Sequence, residues 1–260
     1  MLVRNEGTAA SIKWKSWRRA RWGPITLGLA SLAIAVPGGA AASVTASAVP
    51  VTHALPRSAV HADQTWSGYA VTGAGPYAKI TGSWNVPAMN CSPGGGDASP
   101  WIGIDGWSNK TVEQIGIDLD CVNGKASYHP WVEMYPGPSD YFKDTVHAGD
   151  TLTASVSVSD GRWILTESDA STGWTKTFHR TPKNPPEQLS AEAILEDIGS
   201  GAAPPVPDFN AVTFSDITVD GVALASAGTP HQTSLQRGST FLSQESPLSG
   251  GTFSITWLHR

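Results

Sequence analysis

WIGIDGWSNKTVEQIGID, residues Trp101 to Asp118, consists of two short apolar segments with a polar turn between them. Trp101, Ile102 and Ile104 on one side and Val112, Ile115 and Ile117 on the other are aromatic or β-branched, types that fit a pleated surface; Gly106, Ser108 and Asn109 between them form turns. The stretch reads as a β-hairpin. Strand side chains alternate, so Val112, Gln114 and Gly116 share one face of the second arm and Glu113, Ile115 and Ile117 the other. With Ile115 and Ile117 in a core, Gln114 is expected on the open, concave face, beside a glycine that leaves room for a ligand. A neutral amide there can donate to an oxyanion, and a partner carboxylate would complete a hydrolytic site.

The same strand texture runs from Trp66 to the C-terminus: WSGYAVT (66–72), YAKITGSWNVP (77–87), ASYHPWVEMYP (126–136), TLTASVSVS (151–159), RWILTES, GWTKTFHR, AEAILEDI (191–198), AVTFSDITVDG (211–221) and GTFSITWL (251–258). In these runs Ile80, Gly82 and Trp84 share a face, and Leu152, Ala154, Val156 and Val158 point inward. Residues 91–100 read as a Gly/Pro loop. Many short strands separated by turn residues predict an all-β sandwich over residues 64–260.

Before it, residues 1–42 order as a secretory signal peptide: a basic stretch to Arg21, the apolar run ITLGLASLAIAV, then Ala-x-Ala patterns that place cleavage after Ala42 or Ala48. The apolar run is shorter than the ~20 residues a spanning helix needs, so no lasting membrane association is expected. Residues 43–63 are a spacer or short pro-segment. Seven of the 17 basic residues and two of the 22 acidic ones lie before residue 64, leaving the remainder near −10 where the whole chain is −5. An acidic surface argues against a nucleic-acid partner. Two cysteines, Cys91 and Cys121, flank the hairpin, and in a secreted chain they are expected to form a disulfide. No HExxH, Cys/His cluster or complete calcium loop occurs, so neither metal nor cofactor is expected.

The acidic residues divide by context. Asp120, Asp140, Asp144, Asp150, Asp160 and Asp169 read as turn residues. Asp105, Glu133, Glu192 and Glu196 lie in or at the ends of apolar runs, where an unpaired carboxylate is costly. Glu192, Ile194 and Glu196 share a strand face, which fits either a lined cleft or an exposed edge strand. Trp66, Trp84, Trp101, Trp107, Trp131, Trp163, Trp174 and Trp257 are core residues or the wall of a groove for an extended polymer.

WIGIDG, the EQIGID segment, YHPWVEMYP, the HAGD turn at His147 to Asp150, and AEAILED followed by DFNAVTFSD together resemble the glutamic peptidases of the eqolisin family, secreted acid endopeptidases first known from fungi, with bacterial relatives. The resemblance implies a sandwich of two large antiparallel sheets, of concanavalin-like or jelly-roll architecture, with a catalytic Gln/Glu pair, which falls on Gln114 and Glu196, supported by Trp101, Asp105 and Glu133. It implies action on polypeptides; nothing in the sequence points to an oligomer, so a monomer is expected. In the fourth motif His129 stands where the fungal members have an aspartate. A carbohydrate-binding or glycoside-hydrolysing sandwich is the competing class, since tryptophans and paired acids such as Glu133 with Glu196 or Glu192 suit it. A non-catalytic adhesin or inhibitor is a third. No G-x-S-x-G occurs to suggest a serine hydrolase.

Overall fold

The computed structural model describes residues 65–91, 95–199 and 206–258; the leader and spacer read at 1–63 lie outside the described residues. In chain order the strands are β1 (Trp66–Thr72), β2 (Lys79–Asn85), β3 (Gly96–Ile104), β4 (Val112–Val122), β5 (Lys125–Tyr135), β6 (Asp140–Tyr141), β7 (Thr151–Ser159), β8 (Arg162–Asp169), β9 (Trp174–Arg180), β10 (Ser190–Asp197), β11 (Ala211–Val219), β12 (Val222–Ala223), β13 (Thr229–Thr233), β14 (Gln236–Arg237), β15 (Thr240–Phe241), β16 (Ser243–Glu245) and β17 (Phe253–Trp257). A seven-stranded sheet has the order β13-β1-β10-β3-β4-β5-β6, and an eight-stranded sheet the order β16-β17-β11-β2-β7-β8-β9 with β12 beside β11. Every named pairing is antiparallel. Among the described residues no helix is long and apolar enough to cross a membrane.

The core lies between the sheets and follows from the two-residue period. Ile102, Ile104, Ile115, Ile117, Ala193 and Leu195 from the first sheet meet Ile80, Trp84, Leu152, Val156, Leu165 and Phe214 from the second in one buried cluster. Gly82 is required where it stands: a Cβ on it would lie 2.0 Å from Ile217 Cδ1, a side chain set by the bulge between Ser215 and Thr218.

The expected hairpin is β3 and β4, but its first arm begins at Gly96, five residues before Trp101. The Gly/Pro reading of 91–100 as loop therefore fails at Gly96–Pro100. Pro100 sits inside β3 opposite Leu195, a position where a missing N–H ordinarily argues against a strand. The turn reading also fails for Asp120, which lies within β4 opposite Asp97, and for Asp140 in β6; Asp169, buried at the end of β8, caps the turn that follows, as read. Asp169 Oδ1 accepts from the Ser171 amide at 2.7 Å and Oδ2 from the Thr172 hydroxyl at 2.6 Å, so its desolvation is offset by hydrogen bonds.

Cys91 and Cys121 form the expected disulfide, with Cα atoms 5.2 Å apart, closing a separation of 30 residues. The cross-link ties the segment before β3 to the end of β4. A Cys91→Ser, Cys121→Ser double variant is expected to lose about 2–4 kcal/mol of stability through the larger entropy of its unfolded chain. Chemical denaturation beside the oxidised wild type measures this, and equal midpoints would contradict it.

Candidate active site

Register partners in a sheet share a face, so the outer face of the seven-stranded sheet can be read in rows across its strands. One row is Trp66, Glu196 and Ser99. The next is Gly68, Ile194, Trp101, Gly116, Trp131 and Tyr141. The third is His231, Ala70, Glu192, Gly103, Gln114 and Glu133. The alternate residues of the same strands point into the inter-sheet core. Gln114, Glu133, Trp101 and Glu196 thus lie on one face, as alternation predicts for Gln114 and Glu196.

Two hydrogen bonds organise them. Gln114 Nε2 donates to Glu133 Oε2 at 2.7 Å, and Trp101 Nε1 donates to Glu196 Oε2 at 3.1 Å. The middle row separates the Gln114 and Glu133 pair from Glu196, and Trp101 occupies that row. Asp105 stands apart from this group. It ends the β3 arm with φ of 73°, a left-handed conformation that Asp tolerates better than most residues, and its carboxylate accepts from the Gln188 and Leu189 amides at 2.8 Å each. Its contacts fix the approach to β10 and hence the position of Glu196.

The expectation of an open face with room beside Gly116 is corrected. Gln114 and Trp101 are 0% exposed, and Glu133 and Glu196 1%. A Cβ on Gly116 would come within 2.4 Å of the Pro100 carbonyl oxygen and 2.6 Å of Trp101 Cβ, and one on Gly103 within 3.0 Å of Trp101 Cζ3 and 3.1 Å of Gln114 Cβ. The glycines make space for the Trp101 side chain and its close strand contact, so the space is already taken. Trp66 meets Trp101 edge-on with ring centroids 5.1 Å apart, and these two with Val112, Trp131 and Ile194 form an apolar cluster of their own on this face.

Sequence reasoning named no role for Ser99 or Tyr141 and gave Trp131 only the general reading of core or groove wall. Trp131 Nε1 donates to Ser99 Oγ at 3.0 Å, and Ser99 donates to the Ile117 carbonyl at 2.8 Å, which fixes the indole beside the Glu196 row. Trp131 lies two residues before Glu133 in β5, so alternation alone carried the signal that it shares the site face. The Tyr141 hydroxyl donates to Asp118 Oδ2 at 2.6 Å. His129 stands opposite Asp118 and lies 3.4 Å from Asp120 Oδ2; the network at Glu133 is made with Gln114.

Burial, reinforced by Asp118 and Asp97, pushes the Asp120 carboxyl up to about 7. Burial first of all, with the Asp105 carboxylate adding, pushes Glu113 up to about 9. Burial likewise drives Glu192 well above the ordinary carboxyl range, the Ser190 hydroxyl opposing it and Asp105 and Glu113 reinforcing it. Beside Gln114 in its row, Glu192 is therefore a neutral acid and a poor base at moderate pH. Among the described residues no group of three or more His, Cys, Asp or Glu side chains is placed to hold a metal ion. The arrangement offers one carboxylate held by an indole N–H and one amide held by a second carboxyl group, which suits acid–base and oxyanion chemistry.

A model of the Peptidase A4 family matches residues 64–257. Among solved structures, scytalido-glutamic peptidase with a transition state analog inhibitor is 26% identical, with 75% of this chain and 98% of that one covered and a TM-score of 0.66. Aspergilloglutamic peptidase from Aspergillus niger is 28% identical over 62% of this chain and 99% of that one, with a TM-score of 0.56. SCP-B, an eqolisin-family peptidase solved with the tripeptide Ala-Ile-His, shares the fold at 24% identity, over 75% of this chain and 98% of that one, with a TM-score of 0.61. No curated protein sequence matches the chain.

Proposed function

The chain belongs to the Peptidase A4 family, the eqolisin glutamic peptidases, and is a glutamic endopeptidase; from that premise we propose that Glu196 and Gln114 are its catalytic pair and that it acts as a secreted acid endopeptidase. The observation that carries this reading is the placement of both side chains on one sheet face, each held by its own partner, Trp101 for Glu196 and Glu133 for Gln114.

Amide hydrolysis needs an activated water, an oxyanion donor and a proton for the leaving amine. Glu196 as carboxylate takes a proton from a water molecule as the water oxygen bonds to the scissile carbonyl carbon. The Trp101 N–H fixes the orientation of the Glu196 carboxyl group. The Gln114 amide has two N–H donors; one is committed to Glu133, and the other is free to stabilise the tetrahedral oxyanion. Protonated Glu196 then delivers its proton to the amide nitrogen, the C–N bond breaks, and a carboxylic acid and an amine leave. Gln114 cannot act as base because an amide does not titrate in water.

The same reading has the protein secreted, with extended polypeptides as substrates, and monomeric. The disulfide and the acidic surface support an extracellular, acidic setting and argue against a nucleic-acid partner. The test is cleavage of a denatured protein by the secreted form across pH 2 to 8 with pepstatin present to silence any aspartic peptidase. Cleavage should peak in the acid range; an optimum above neutrality would sink the acid-peptidase reading.

A further inference from the structure

The row that carries Gln114 and Glu133 continues across β3, β10 and β1 to His231 on β13, so His231 faces the same side as the catalytic residues. Trp107, from the β3–β4 connection, reaches back over this end of the sheet and stacks on the His231 ring, with centroids 5.1 Å apart and planes 26° apart. Trp107 also packs against the apolar cluster of Trp66, Trp101, Val112, Trp131 and Ile194, which makes the wall continuous with the site floor. Both side chains are half-buried.

His231 is provided for unequally at its two nitrogens. Nε2 lies 2.8 Å from Thr72 Oγ1, while Nδ1 has no partner among the described residues. No carboxylate lies within ion-pairing distance of the ring among the described residues. The other titratable group on this part of the row is Glu192, in β10, which is buried. In acid an imidazole carries a positive charge, and an indole face stabilises such a cation. A cationic ring with a spare N–H, backed by an indole face, suits an anion.

We infer that His231, backed by Trp107, forms a specificity subsite that receives an anionic side chain of the polypeptide substrate, glutamate or aspartate. His231 lies two strand spacings, about 10 Å, across the sheet and four residues, about 13 Å, along it from Glu196. An extended peptide covers the resulting span of about 16 Å in about five residues, so the selected side chain sits some five positions from the scissile bond. The inference rests on the site face proposed above, but its test does not require turnover.

Extended peptides that differ only by Glu or Gln at one position are titrated, at pH 5, into the Glu196→Gln protein by calorimetry. At one position Glu should bind about fivefold more tightly than Gln, the scale of one charge-assisted hydrogen bond at a partly wet site. Adding His231→Gln should bring that ratio to about one, and His231→Lys should keep it above one. Circular dichroism of each variant confirms that it is folded, and the Lys variant separates loss of charge from disturbance of β13. Absence of discrimination at every position, or discrimination that survives His231→Gln, overturns the subsite. Failure of the wild type to cleave would count against the catalytic pair and leave these binding ratios readable.

Discussion

Glu196→Gln should lower kcat/KM on a peptide substrate by about 10³- to 10⁴-fold, and Gln114→Ala by about 10²- to 10³-fold, with both proteins folded. Glu196→Gln removes the only proton carrier of the proposed mechanism while preserving shape and the bond from Trp101 Nε1. Gln114→Ala removes the oxyanion donor but leaves the base, so its smaller loss should fall on kcat. Glu133→Ala is an informative third arm. Its carboxyl fixes the Gln114 amide at 2.7 Å without taking part in proton transfer, so the loss should be about ten- to a hundredfold and should leave the acid-side pH profile in place. A glycosidase using two carboxylates would behave differently, keeping much of its rate in Gln114→Ala and losing it in Glu133→Ala. Retention of peptide hydrolysis in either Glu196→Gln or Gln114→Ala would return that residue to a structural role.

What the sequence revealed of this site is what a period of two can reveal. Leu152, Ala154 and Val156 alternate with polar residues in β7 and pack into the core as read, and the alternation of Glu192, Ile194 and Glu196 puts both glutamates on the outer face. The relation between strands was not legible, because it depends on pairings between residues far apart in the chain. Register alone places Glu192 in line with Gln114 and Glu196 four residues further along β10, two rows away on the same face, with the Trp101 row intervening. The family motif, not the pattern, singled out Glu196. The environment of Glu192 supplies a physical reason for the choice, since a fully desolvated carboxyl beside Asp105 and Glu113 holds its proton. The glycine at 116 was legible as a space but not as a space already filled, since its occupant comes from the neighbouring strand. Asp120 and Pro100 misled for a shared reason: both are turn-prone residue types, and tertiary pairing overrode their local preference.

Stability should be greatest near pH 4 and fall steadily toward neutrality, the reverse of the usual behaviour of a protein held by ionised carboxylates. Glu113, Glu192 and Glu167 are all 0% exposed, and burial raises all three; Glu113 reaches about 9, and Glu167, whose oxygens find no hydrogen-bond partner, is driven well up by burial alone. In the unfolded chain each is an ordinary glutamate that loses its proton near 4.3. Between that pH and the raised folded value, the native state binds a proton that the unfolded state does not, so the change of unfolding free energy with pH is negative. Each group contributes about −1.4 kcal/mol per pH unit while this holds, so the slope counts how many of the three still keep their protons. Asp169 works in the opposite sense. The hydroxyl and amide donors around it lower its pKa despite its burial, so its contribution is present above the unfolded value and lost as pH falls through the folded one, which closes the window on the acid side. Denaturant midpoints at pH 3, 4, 5, 6 and 7 measure the curve. Glu167→Met, which replaces a core carboxyl by an apolar chain of similar length, should raise stability at pH 7 and flatten the slope by about one proton's worth, while leaving the value near pH 4 little changed. An unchanged slope in that variant would mean that Glu167 reaches water or a partner in solution, and that the preference of this fold for acid resides elsewhere.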